Sequence, residues 1–224
     1  MWTSDGKRLV FVSNRGDGRN RVWQQFADAS APAEKLFETD DDIGEGLLAP
    51  DDHTLVYRTG GFGISQQRDI YYVDLTGDRK AKPIAASRFQ ESEPRLSPDG
   101  KWLAYESDET DAMQVYVRPF PGPGGITQVS PDGGIEPVWA RDGRRLFYRH
   151  RRELVAATIT PGAQFGVSQR RVLFEGAFFT QHMAHPSYDV APDGKHFIIS
   201  RLDESGQIVV VTNWLNELRA RTAR

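Results

Sequence analysis

The 224-residue chain has no cysteine. Disulfide frameworks, thiolate nucleophiles and cysteine metal sites are therefore excluded, and both cytoplasm and periplasm stay open as compartments. Long hydrophobic runs are also missing. No stretch approaches the ~18 to 20 apolar residues of a membrane span, and Met1-Trp2-Thr3-Ser4-Asp5 does not read as a signal peptide, so no membrane insertion is expected of these residues. Nor is there a basic excess. With 28 Lys and Arg against 31 Asp and Glu the net charge is −3, and nucleic acid is disfavoured because phosphate binding needs clustered cations on one face. Catalytic signatures are absent as well: no Gly-x-Ser-x-Gly elbow, no Gly-x-Gly-x-x-Gly loop, no His-Arg-Asp and no Asp-Phe-Gly. The sequence assigns no catalytic residue, no metal and no cofactor, and the chain reads as a non-enzyme.

What is present is a repeat. Ser4-Asp5-Gly6-Lys7, Pro50-Asp51-Asp52-His53, Pro98-Asp99-Gly100-Lys101, Arg141-Asp142-Gly143-Arg144 and Pro192-Asp193-Gly194-Lys195 are each followed by a short apolar run. Their first aspartates stand 46, 48, 43 and 51 residues apart, close to the ~40 to 45 residues of a four-stranded propeller blade. Such a triplet suits a type I turn closed by a left-handed residue, joining two antiparallel strands. Asp52 stands where the other turns have Gly, which predicts positive φ there; Asp52→Gly is expected to leave stability unchanged or raise it slightly.

The outgoing runs, such as Trp102-Leu103-Ala104-Tyr105, lack alternation, so both faces should be buried between neighbouring blades. A third strand is expected at Arg21 to Phe26, Asp69 to Asp74, Gln114 to Arg118, Glu153 to Ile159 and Gln207 to Val211, and a more polar outer strand at Glu34 to Phe37, Lys82 to Ala85, Ile126 to Val129 and Arg171 to Phe174. Pro83 fits an edge strand, where a lost donor is tolerated. The fold class is all-β, a propeller of four-stranded antiparallel blades.

These turns, with Ser13-Asn14-Arg15 and Asp69-Ile70-Tyr71-Tyr72-Val73-Asp74, resemble the TolB-type, WD-like propeller repeat of bacteria. The tail Val209 to Leu218, with Asn213-Trp214, is similar to the ending of propellers attached to eukaryotic-like bacterial Ser/Thr kinases. The resemblance implies a non-catalytic binding or sensing module in a larger protein such as a kinase. Alternatives are a propeller that gates substrate for a prolyl-oligopeptidase-like serine peptidase, and a propeller enzyme such as a carbohydrate lyase. Expected blades are 1–44, 45–92, 93–135, 136–186 and 187–214, with 215–224 a short helical or disordered tail. Five blades are recognisable, incomplete relative to a six-bladed ring; an unpaired blade edge would then favour self-association.

Six residues before the turn aspartates stand Glu45, Glu93, Glu136 and Ser187. Three carboxylates entering innermost strands would make a negative rim at one channel mouth, a ligand-binding site for a small cation, an amine or a basic protein or peptide end. The competing and heavier reading is structural, with each Glu accepting hydrogen bonds from the next blade's backbone or from arginines. His182 and His185, with Asp189 beyond, are a generic zinc pattern in a segment better read as a cover over the channel. Arg141, Arg144, Arg145, Arg149, Arg151 and Arg152 read as a solvated basic face, or as a docking patch for an acidic partner.

Overall fold

A computed structural model describes residues 1–61, 67–160, 162, 164–176 and 185–200. The expected strand Gln207 to Val211, the tail and His182 lie outside them. Among the described residues seventeen strands run in chain order and form five antiparallel sheets, and there is no helix.

The first sheet contains β1 (Arg8–Ser13), β2 (Arg21–Phe26) and β3 (Glu34–Phe37). The second has β4 (Ile43–Leu48), β5 (Thr54–Thr59), β6 (Ile70–Asp74) and β7 (Lys82–Ala85), and the third β8 (Glu91–Leu96), β9 (Trp102–Ser107), β10 (Gln114–Pro119) and β11 (Thr127–Gln128). The fourth has β12 (Ile135–Trp139), β13 (Arg145–His150), β14 (Glu153–Thr160) and β15 (Gly166–Glu175); β16 (Tyr188–Val190) pairs β17 (Phe197–Ile199) in the fifth. Each sheet pairs its strands in sequence order, the up-and-down pattern of a propeller blade. Met1 and Trp2 form a stub inside the first: Trp2 bridges Leu9, and the Val10 N–H donates to the Met1 carbonyl at 2.8 Å.

The repeated turns share one geometry. Gly6, Asp52, Gly100, Gly143 and Gly194 all have φ between 57° and 69°. Their N–H groups donate three residues back, to the Thr3, Ala49, Ser97, Ala140 and Ala191 carbonyls, at 2.8–3.0 Å. The preceding aspartates accept from the backbone N–H two residues on, at Lys7, His53, Lys101, Arg144 and Lys195, over 2.8–3.2 Å. That side-chain bond explains why Asp precedes the left-handed residue in every repeat: it closes the turn from the side.

Both faces of the second strands are covered. In β9, Leu103 through Ser107 are all buried, and β5 behaves alike. The core is accordingly divided into layers between successive sheets. Val10, Val22 and Phe37 pack on Ile43, Leu55, Tyr57 and Val73 between the first two; Val56, Ile70 and Ile84 meet Leu103, Tyr105 and Tyr116 between the next. Ala104, Val115 and Val117 face Leu146, Tyr148 and Val155, and Phe147, Leu154 and Ala156 face Tyr188 and Phe197. Stacked sheets are what non-alternating strands demand.

Asp52 carries a contact that its local sequence does not reveal. Its two carboxylate oxygens each accept from the Ser4 N–H at 3.0 Å, and Ser4 Oγ adds a short bond. The turn of the second blade is thus clasped to that of the first. The expectation that Asp52→Gly is neutral overlooked this partner, because it lies 48 residues away.

Candidate functional site

Glu45, Glu93 and Glu136, six residues ahead of the turn aspartates of the second, third and fourth blades, sit at irregularities of the innermost strands. Pairing of β4 with β5 shifts between Ile43 and Glu45, of β8 with β9 between Ser92 and Arg95, and of β12 with β13 between Ile135 and Val138. Glu93 and Glu136 have φ of 52° and 59°, left-handed values that side-chain-bearing residues adopt at a cost. A bulge re-aims a side chain that a regular strand would point elsewhere. Pro94 and Pro137 follow within the same bulges, on strands that form an edge of their sheets, where a missing N–H is tolerated.

These carboxylates are not an exposed rim. Glu45 is 6% exposed, and Glu93 and Glu136 are fully buried. Glu136 accepts from Arg149 Nε and Nη2 at 3.1 and 2.8 Å, and from the Ser187 N–H and Oγ of the next blade at 3.2 and 2.8 Å. Glu45 accepts from Arg58 Nε at 3.2 Å, from the Glu93 N–H of the next blade at 3.2 Å, and from Arg95 Nη1 at 3.2 Å. Each holds an arginine of its own sheet and a backbone amide of the following one. Burial forces this arrangement, since a carboxylate out of water requires donors and a countercharge.

Blade three departs from the rule. Seven residues after the turn aspartates stand Arg58, Glu106 and Arg149. Glu106 does for the fourth blade what Glu45 does for the third, accepting the Glu136 N–H, while its other oxygen takes Ser92 Oγ at 3.2 Å. Glu93 is left with Arg95, whose Nη2 lies 2.5 Å from its Oε2. Burial raises the Glu93 pKa well above the ordinary range, and the charges of Glu45, Glu106 and Glu136 outweigh the opposing pull of Arg95. Glu45 goes the other way: burial works upward, but Arg95, His185 and Arg58 together bring it down to about 2.

The expectation that these glutamates accept from the next blade's backbone and from arginines agrees with these contacts of Glu45 and Glu136; which arginines they hold was not named by the sequence. Arg149 belongs to a basic cluster read as solvated, yet it is only 7% exposed. Its Glu136 contact was signalled only by the recurrence of Arg seven residues after Asp51 and Asp142. Of the proposed zinc pattern, His182 is outside the described residues, and Asp189 accepts from the adjacent Val190 N–H. His185, 58% exposed, reaches across from the entrance of the fifth blade to within 3.6 Å of Glu45 Oε1.

Beside this cluster opens a cavity of about 600 Å³ among the first three blades. Trp2, Phe11 and Leu47 give it an apolar wall, and Glu45, Arg95 and His185 a charged end.

No protein-family model matches the chain. Among solved structures it is similar to TolB from Acinetobacter baumannii, with a TM-score of 0.68 and 20% identity, over 91% of this chain and 48% of that one. Among curated proteins it is 26% identical over 151 residues to dipeptidyl-peptidase 5 of Porphyromonas gingivalis, covering 62% of this chain and 22% of that protein. It is 30% identical over 126 residues to the uncharacterized peptidase YuxL of Bacillus subtilis, covering 50% and 18%. The chain thus spans about a fifth of the length of these curated relatives and about half of that TolB chain.

Proposed function

We propose that this TolB-like β-propeller is a non-catalytic binding module whose cavity among the first three blades receives an extended segment of a partner protein. The observation that carries the reading is the cavity itself, about 600 Å³ with an apolar wall and one charged end. Trp2 stands at its edge, 56% exposed, as an aromatic anchor of the kind that dominates binding energy. The most buried carboxylates hold the blades together, so recognition falls to this wall. A bacterial Ser/Thr kinase is the parent protein suggested by the tail resemblance.

The test is selection of displayed random decapeptides on the immobilised chain. Selected peptides should bind the wild type and lose at least roughly tenfold in affinity with Trp2→Ala, the loss expected of a hot-spot aromatic. Equal binding to both proteins would remove the cavity from the reading.

A second reading is supported by two curated relatives that are named as peptidases: the propeller controls access to an attached serine hydrolase. Labelling of the full-length protein by a serine-directed activity probe would favour it, and absence of labelling would set it aside.

A further inference from the structure

Blade three carries one acid too many for its own sheet. Where the second and fourth blades place Arg58 and Arg149, the third has Glu106, already engaged with Glu136 and Ser92. Glu93 is fully buried, and its Oε1 has no hydrogen-bond partner. Arg95 is its ion-pair partner, shared with Glu45. A buried carboxyl oxygen without a donor keeps the whole cost of its lost hydration. Something of positive charge fits there.

We propose that Glu45, Glu93 and His185 form a binding site for one divalent transition-metal ion of the Zn²⁺ class at the charged end of the cavity. One oxygen of each carboxylate and one ring nitrogen of His185 lie within 4.8 Å of one another. His185 Nδ1 and Glu45 Oε1 lie 3.6 Å apart. That distance is close to the roughly 3.3–3.5 Å that separates two ligands of a tetrahedral ion with bonds of ~2.0–2.2 Å. An imidazole with two carboxylates selects zinc-like ions over Mg²⁺ and Ca²⁺, which take oxygen ligands.

Three protein ligands leave a fourth position, and the two that line the cavity, Glu45 and His185, place it on the open side, where an ion can enter. The ion would replace part of the countercharge that Arg95 supplies. Arg95 can yield, because its side chain is 24% exposed and its Nη1 also holds the Pro94 carbonyl at 2.7 Å. The site does not depend on whether the cavity takes a peptide.

The experiment is equilibrium dialysis of the full chain against Zn²⁺ alone, with Co²⁺ absorption reporting ligand number. About one equivalent should bind, and His185→Ala, an exposed change that leaves folding intact, should weaken binding at least roughly tenfold. Glu93→Gln should do the same, while His53→Ala and His196→Ala should change nothing. Substoichiometric binding by the wild type, or undiminished binding by His185→Ala, would overturn the site.

Discussion

Replacing Glu136 with Gln is expected to cost about 3–5 kcal/mol, the penalty for removing one partner of a buried ion pair. The side chain keeps its shape, and its amide oxygen can still accept from Ser187, so packing contributes little to the loss. What disappears is the bidentate charge on Arg149, whose side chain is 9% exposed and cannot recover hydration in place. Against a total of roughly 5–15 kcal/mol for a domain, the melting temperature should fall by about 6–20 °C, at ~2–4 °C per kcal/mol for a chain of this size. Thermal unfolding followed by tryptophan fluorescence reads the loss. Amide exchange at Ser187 should accelerate in parallel, because that N–H donates to the Glu136 carboxylate. Adding Arg149→Met should cost less in the Glu136→Gln background than in the wild type, by a coupling of ~0.5–3 kcal/mol. A Glu136→Gln protein within about 1 kcal/mol of wild type, or strictly additive substitutions, would show that the Glu136–Arg149 pair does not stabilise the fourth blade.

Asp52→Gly should lose about 1 kcal/mol in denaturant titration: relief of a left-handed Asp is worth ~1 kcal/mol, and the charged bonds to Ser4 about 1.5–3. If stability rises instead, the clasp between the first two turns contributes nothing. Gly44→Ala should cost about 3 kcal/mol or more, because a Cβ there overlaps the Arg58 guanidinium and must displace it from Glu45; unchanged unfolding would mean that Arg58 has a second resting place. Acid should destabilise through Glu45. Its folded pKa of about 2 lies below the ordinary 4.5, so its contribution of about 3 kcal/mol is present above 4.5 and lost as pH falls toward 2. Glu93 has the opposite sign: its raised pKa favours the fold below 4.5, and that support is lost as pH rises through the folded value. In chelator-treated samples, Glu93→Gln should therefore gain on the wild type as pH rises, and a constant difference would place its pKa elsewhere.

How much was legible in advance divides by the range of the interaction. The propeller was readable because its punctuation is local: in Pro98-Asp99-Gly100 the carboxylate bonds two residues on and the glycine N–H three residues back. A turn of this kind is complete within one repeat, so recurrence at blade spacing revealed the architecture, and strand burial followed from unalternating runs such as Trp102 to Tyr105. Glu45, Glu93 and Glu136 were visible as recurring acids for the same reason. Their role as acceptors for the next blade's backbone and for arginines was legible too, but the particular residues they meet were not. Glu45 meets the Glu93 amide 48 residues away, Glu136 meets Ser187 across 51, and Asp52 meets Ser4 across 48. Sequence determined which residues recur at each position of the repeat. Only packing of one sheet on the next decided that Arg149 is buried, that Glu106 replaces an arginine where Glu93 needed one, and that His185 faces Glu45, because charge and hydrogen-bond balance are summed over neighbours in space and not along the chain.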